Sequence, residues 1–169
     1  EEVVREFYTE FYLGRGNWRR IEELLFESAG TKPGEPGSAA VYKTLAGHAQ
    51  DKGDGPREAQ YLDKLHKADP SDDEVVERLI HLNKASDRWH VVAQLLSARA
   101  EATGDDLERL RETYAELVEV YTDHMGVEAK ALGVYQEWRK RDQGNEQVAA
   151  EPLELYGRLG RWPNHVKLL

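Results

Sequence analysis

The sequence contains no cysteine among its 169 residues and no long apolar segment. Without cysteine the chain can form no disulfide, thiolate zinc site or cysteine nucleophile, whereas its redox compartment stays undetermined. No apolar run approaches the roughly 20 residues that cross a bilayer, which predicts that the chain does not insert into membranes. The N-terminus also has neither the basic flank nor the apolar core of a signal peptide.

The chain is also poor in positive charge. It has 23 lysines and arginines against 32 aspartates and glutamates, which gives a formal net charge of -9. Proteins that bind nucleic acid need a basic stripe to neutralise the phosphates. The composition therefore argues against nucleic acid as a general ligand.

The patterns that hold metal ions are missing as well. The segment 51–62, DKGDGPREAQYL, begins like a calcium loop, but Gly53, Gly55 and Leu62 occupy ligand positions. Glycine and leucine side chains supply no oxygen ligand for calcium. No two of the six histidines are four residues apart, the helical spacing that places two imidazoles on one metal. We therefore expect no metal site.

No catalytic constellation is visible either. Residues 14–18, GRGNW, supply two glycines of a dinucleotide-binding motif, but Arg19 takes the place of the third glycine and no strand precedes it. Adjacent carboxylates occur at Glu22-Glu23, Asp72-Asp73 and Asp105-Asp106. These positions are helix starts or polar faces, where carboxylates complement the helix dipole and contact water. The sequence predicts no catalytic residue, no cofactor and a protein that is not an enzyme.

What the chain does have is helical periodicity almost throughout. Apolar residues recur on one helix face most clearly at Leu107, Leu110, Tyr114, Leu117, Val118 and Tyr121. No stretch alternates in the way that a half-buried strand does. Together with start and stop signals, the pattern predicts ten helices. They lie near residues 2–13, 18–29, 38–51, 56–68, 72–85, 88–103, 106–123, 127–142, 146–159 and 162–169.

Local signals refine some of these boundaries. Ser71 with Glu74 three residues later predicts a capping box, and Asp105 with Glu108 predicts a similar start. Pro152 lies inside the ninth predicted helix, where proline removes a backbone hydrogen bond at a cost of roughly 3 kcal/mol. We expect that helix either to kink or to start again at the proline.

A long internal repeat runs through the helices. Trp18, Trp89 and Trp162 lie 71 and 73 residues apart, and each is followed by a Leu-Leu pair six and seven positions later. The repeated unit is therefore four helices, or two helix hairpins. Because recurrence in register favours packing, we expect the three tryptophans to lock adjacent hairpins rather than to stack on a ligand.

The hairpins resemble the tetratricopeptide repeat, whose pattern runs W-x2-L-G-x2-Y, then A-x3-F, then P. The matching positions are Tyr42, Leu45, Ala46 and Ala49 in a first helix, Ala131, Tyr135 and Trp138 in a second helix, and Asp69-Pro70 at a close. Val92 and Val118 depart from the pattern. The resemblance covers essentially the whole chain. A helical-repeat scaffold of the RNA-processing type matches so acidic a chain less well.

The resemblance implies an all-α solenoid of stacked antiparallel hairpins, forming one domain over 1–169 and winding into a right-handed superhelix. It also implies a concave groove, lined by the first helix of each hairpin, that holds an extended peptide or a partner helix. The groove positions carried over are Lys43, Gln50, Glu77, His81, Lys84, Glu119, Thr122, Glu154 and Arg158.

The implied function is a non-catalytic scaffold for protein–protein interaction, with a protein or peptide as partner. An alternative is a spacer or regulatory arm of a larger enzyme or signalling protein. The chain ends on Leu168-Leu169, and we expect this pair to occupy positions that within the array face the next helix. We therefore expect a longer chain to continue the array, or self-association to cover this end.

Overall fold

The computed structural model describes residues 2–144, and over these residues the chain is helical and has no strand. All eight helices predicted there are present. They are α1 Glu2–Gly14, α2 Trp18–Ala29, α3 Ser38–Asp51, α4 Gly55–Ala68, α5 Asp73–Ala85, α6 Trp89–Ala102, α7 Leu107–Glu119 and α8 Glu128–Arg141. The last two predicted helices lie outside the described residues, together with Pro152, Trp162 and Leu168-Leu169.

The chain divides into two compact units, unit 1 over Glu1–Leu82 and unit 2 over Asn83–Leu169, and the division falls inside α5. In unit 1, α1 packs on α2, α2 on α3, and α3 on α4. In unit 2, α6 packs on α7 and α7 on α8. The two helices of each hairpin are joined by a short turn, so they run antiparallel. Unit 1 therefore contains the hairpins α1–α2 and α3–α4, and unit 2 contains the hairpin α7–α8, as the repeat predicted.

The turn inside each hairpin has the same backbone conformation. Two residues before the second helix, Gly16, Gly53, Asp87 and Gly126 adopt a left-handed conformation, with φ of 65, 66, 53 and 63°. In the first three turns, the N–H of the next residue bonds a carbonyl five residues back. This Schellman arrangement satisfies carbonyls that the end of the first helix leaves free. The repeat thus requires a left-handed residue here, and one turn places an aspartate at it.

Asp87→Gly is expected to raise the free energy of unfolding by about 0.5 kcal/mol, because a positive φ strains a residue that has a Cβ. The gain in stability is smaller than the strain energy because glycine raises the conformational entropy of the unfolded chain, and folding must overcome it. Urea denaturation followed by circular dichroism measures the change.

The matched control is Gly53→Asp, which introduces the same strain into a turn that now has glycine. No atom lies within 4 Å of a Cβ built at Gly53, so the substitution tests the backbone alone. We expect it to lower the free energy of unfolding by about 1 kcal/mol. Destabilisation by both changes would contradict the proposed strain at Asp87.

The capping box predicted at the start of α5 is wrong by one residue. The side chain that accepts the N–H of Val75, at 3.2 Å, is that of Asp72. Ser71 instead donates both its N–H, at 3.0 Å, and its hydroxyl, at 2.6 Å, to the Asp69 carboxylate. Asp69 therefore holds Ser71 in a turn before the helix, and these hydrogen bonds lower the pKa of Asp69.

The seventh helix also starts and ends differently from the prediction. Its cap is Asp106 rather than Asp105, since the Asp106 carboxylate accepts the N–H of Arg109 at 3.1 Å. Its continuation, Val120–His124, is a π-helix, in which the N–H of Met125 bonds the carbonyl five residues back. A π turn accommodates an extra residue within a helix. Apolar spacing tolerates that insertion, so periodicity alone predicted a regular helix.

The positions that match the repeat pattern are buried in both units. In unit 1 the Tyr42 ring packs edge-on against Phe26 and stacks on Tyr61, with centroids 5.4 and 6.4 Å apart. In unit 2 the Tyr114 ring lies 5.8 Å from that of Trp138. The remaining pattern positions in helices, Leu45, Ala46, Ala49, Ala131 and Tyr135, are buried as well. At these positions the predicted packing role is confirmed.

Two buried carboxylates that no sequence pattern marked join helices within the units. Glu58 on α4 accepts two hydrogen bonds from the Arg78 guanidinium on α5, at 2.6 and 2.9 Å. Asp142, just after α8, accepts two from Arg111 on α7, at 2.6 and 3.0 Å. The hydrogen bonds raise the pKa of both arginines above the ordinary value. This two-point geometry fixes the orientation of the joined segments as well as their contact.

Candidate functional site

Unit 1 contains an open cleft between α1 and α3, the first helices of its two hairpins. Its volume is about 690 Å³, and the C-terminal half of α2 closes one side. The lining residues are Glu6, Phe7, Thr9, Glu10 and Leu13 of α1, Leu25, Ser28 and Ala29 of α2, and Ala40, Val41, Thr44 and His48 of α3. The cleft is therefore of the kind that the resemblance implies, a depression lined by first helices.

The polar side chains of α2 and α3 leave much of this cleft apolar. The Ser28 hydroxyl donates to the Leu25 carbonyl at 3.1 Å, and the Thr44 hydroxyl donates to the Ala40 carbonyl at the same distance. Each hydroxyl therefore donates its hydrogen to a backbone carbonyl of its own helix. Their oxygens can still accept a hydrogen bond from a partner, but neither hydroxyl has a hydrogen left to donate.

The acidic side chains described in the cleft lie on α1. Glu6 and Glu10 lie one turn apart on this helix and both line the cleft, and neither has a cationic partner among the described side chains. No lysine or arginine is among the lining residues that the structure describes. Phe7, between the two glutamates, is 65% exposed and stacks on Phe11 at 6.5 Å. The α1 wall thus combines an exposed aromatic surface with two carboxylates that pair with no described cation.

A second cavity in unit 1 differs in its charges. It has a volume of about 540 Å³ and lies between α2 and the loop that follows it. Its Glu22 carboxylate pairs with the Lys64 ammonium at 3.3 Å, and its Glu23 carboxylate pairs with Arg20 at 2.5 Å. Hydrogen bonds from Arg20 lower the pKa of Glu23. Two of its carboxylates, those of Glu22 and Glu23, therefore already have partners. The described lining comes from α2 and the loop after it, with no first helix of a hairpin, which makes the first cleft the better candidate site.

The groove positions carried over from the repeat pattern do not line this cleft. In unit 1, Lys43 and Gln50 are exposed on α3, and Glu77 and His81 are exposed on α5. None of the four is among the cleft's lining residues. Lys43 directly precedes the lining residue Thr44, so the predicted face and the cleft wall are neighbouring faces of α3.

In unit 2, two of the predicted groove positions already have partners. The Lys84 ammonium pairs with the Glu116 carboxylate on α7 at 2.7 Å. The Thr122 hydroxyl lies in the π turn and donates to the Val118 carbonyl at 3.0 Å. Glu119 is exposed at the end of α7. The remaining two positions, Glu154 and Arg158, lie outside the described residues.

Trp18 and Trp89, the repeated tryptophans in the described part of the chain, have different surroundings, although their sequence contexts match. Trp18 is buried and lies 6.2 Å from the Tyr61 ring. Trp89 is only half-buried, and its ring lies flat on that of His124, with centroids 3.5 Å apart. The packing role predicted for Trp18 is confirmed. The π turn Val120–His124 carries the histidine that covers Trp89, and that turn was not predicted.

The described residues contain no group of three or more histidines, aspartates or glutamates placed to hold a metal ion. Among the same residues, no helix has the length and apolar character needed to span a membrane.

Comparison with known proteins gives a likeness of fold. Neither a family model nor a curated protein matches the sequence. The solved structure of MamA AMB-1 aligns over 99% of this chain and 89% of its own, with 14% identity and a TM-score of 0.51. A Podosopora anserina kinesin light chain with nearly identical TPR-like repeats aligns over 98% of this chain and 90% of its own, with 14% identity and a TM-score of 0.49.

The fold follows from the hairpins themselves and from the likeness to MamA. First helices begin at residues 2, 38, 73 and 107, so one hairpin with its connection spans about 35 residues. Each hairpin has the same left-handed turn. In fold, the chain is similar to the tetratricopeptide-like helical repeat proteins.

Proposed function

We propose that this protein is a non-catalytic protein-interaction scaffold that holds a peptide or partner helix in the cleft of unit 1. The observation that carries the proposal is the cleft between α1 and α3, with apolar side chains such as Leu13 and Leu25 in its lining and an exposed aromatic rim at Phe7. Grooves of this kind hold helices through apolar anchor side chains. A likeness of fold alone identifies no partner, so the proposal rests on this surface.

A peptide fits the cleft better than a small metabolite does. Small-molecule sites use a few convergent polar groups to orient their ligand. Here the hydroxyls of Ser28 and Thr44 are turned to their own helix carbonyls. The α1 wall runs from Glu6 to Leu13, about 10 Å along the helix. That length matches about two turns of a bound helix.

Filling the cleft is expected to abolish binding. Ala40 is exposed on α3 and lines the cleft, so Ala40→Trp places an indole inside it. The ligands are helical peptides from a displayed library that are selected for binding to the whole chain. We expect Ala40→Trp to weaken the selected binders by at least about tenfold, because the apolar anchors lose their site. Fluorescence polarisation with the labelled peptides measures this.

The matched control is Ala39→Trp, at the neighbouring exposed residue that does not line the cleft. It is expected to leave affinity within about twofold, since it adds the same side chain to another face of α3. Equal loss in both variants, or no loss in either, would contradict the cleft as the binding site. Selection of no peptide at all would favour the alternative of a spacer or regulatory arm.

The groove positions predicted in unit 2 provide a second candidate surface for the same function. Glu119 in unit 2 is exposed and represents this surface. A partner whose binding is lost in Glu119→Arg but kept in Ala40→Trp would move the site away from the unit 1 cleft.

A further inference from the structure

Two carboxylates of the cleft that pair with no described side chain specify the chemistry of its partner. Glu6 and Glu10 are the acidic lining residues, and both lie on α1. His48, on α3, is the other titratable lining side chain. Because the described lining residues include no lysine or arginine, an occupant that covers the cleft meets the carboxylates of Glu6 and Glu10 along α1.

Covering these carboxylates with an apolar partner is unfavourable, because a buried charge needs a partner of opposite sign. Other glutamates of unit 1 have such partners within the chain, as Glu58 has in Arg78 and Glu22 has in Lys64. Glu6 and Glu10 have none among the described side chains. The occupant of the cleft must therefore supply the cations, or must leave both carboxylates in water.

We propose that the cleft selects a cationic amphipathic helix, with apolar side chains toward α2 and lysine or arginine toward Glu6 and Glu10. The inference rests on the proposed function and adds the partner's charge pattern. Because the two glutamates are four residues apart on one helix face, a partner helix alongside α1 meets them with basic residues three or four positions apart. The net charge of -9 also favours approach of such a partner.

An acidic or uncharged amphipathic helix fits the same apolar surface but not its α1 wall. Like charges placed together disfavour the wrong partner more strongly than a good pair favours the right one. The apolar surface then provides affinity, and the two glutamates provide selection among amphipathic helices.

The test is a displayed library of short helical peptides with a fixed apolar stripe and flanking positions drawn from lysine, glutamine and glutamate. The library is selected on the whole chain, and each binder is then measured against Ala40→Trp. We expect lysine at flanking positions three or four apart. Binders that Ala40→Trp weakens but that carry no lysine preference, or a glutamate preference, would overturn this inference and leave the proposed function standing. Absence of any binder weakened by Ala40→Trp would overturn both.

A matched pair of charge variants separates local from overall electrostatics. Glu6→Lys/Glu10→Lys reverses both cleft carboxylates, and Glu27→Lys/Asp51→Lys makes the same change of net charge at exposed residues outside the cleft. We expect the first variant to lower the affinity of a lysine-bearing binder at least about tenfold, and the second to change it less than about threefold. Equal losses would show that overall charge, not the cleft, attracts the peptide, and would overturn the inference.

Discussion

Leu110→Ala is expected to lower the free energy of unfolding by about 3 kcal/mol. Leu110 lies on α7, which packs between α6 and α8 in unit 2, and its side chain has no exposed surface. Truncation removes buried apolar contacts and leaves a cavity that a helix packed on two sides cannot readily close. Urea denaturation, followed by both circular dichroism and tryptophan fluorescence, measures the change and tests whether unfolding is two-state.

The control for this prediction lies one turn earlier on the same helix. Leu107 is 40% exposed, so Leu107→Ala removes less buried surface, and we expect a cost of about 1 kcal/mol or less. The comparison makes the same change of side chain at a buried position and at an exposed position in the first turn of α7. Similar costs for the two variants would contradict the core position assigned to Leu110.

Arg78→Ala is expected to cost about 2 to 3 kcal/mol. The Glu58 carboxylate is buried, with only 5% of its side chain exposed, and Arg78 supplies both of its hydrogen bonds. Removing the guanidinium leaves a buried, unpaired carboxylate. Because the Arg78 side chain is itself 36% exposed, water reaches the vacated space and reduces the penalty below that of a fully buried pair.

A double-mutant cycle identifies the pair as the origin of the effect. Glu58→Gln removes the charge while keeping the shape, and Arg78→Ala in that background is expected to cost at least about 1 kcal/mol less than in the natural chain. Lys67→Ala breaks an exposed pair with Asp63 on α4 and is expected to cost no more than about 0.5 kcal/mol. Additive effects in the cycle would show that the negative charge of Glu58 contributes nothing to its pairing with Arg78.

The sequence predicted the features of the structure that depend on residues close together in the chain. The eight described helices were predicted because apolar periodicity and helix-stop signals act within a few residues. The caps at Asp72 and Asp106 were each missed by one residue, because two adjacent side chains of each start can serve as caps and only their backbone conformation decides. The π turn was missed because one inserted residue hardly changes the apolar spacing.

The candidate site was predicted less well than the helices. The resemblance implied a surface lined by first helices, and the unit 1 cleft is such a surface. It placed the binding positions at Lys43 and Gln50, whereas the cleft is lined by Ala40 and Thr44 on a neighbouring face of α3. The rotation of a helix about its axis depends on how its neighbours pack, which a pattern within one helix does not contain.

By itself, the sequence determined the helical class, the positions of the helices and the hairpin repeat, because each of these depends on residues close together in the chain. Only the tertiary structure decided which charges remain without partners. Glu58 and Glu6 are indistinguishable as glutamates near helix starts, yet α5 brings a guanidinium to Glu58, and no described helix brings a cation to Glu6. That difference depends on residues far apart in sequence that packing brings together, and it makes one glutamate part of the framework and the other part of a candidate binding surface.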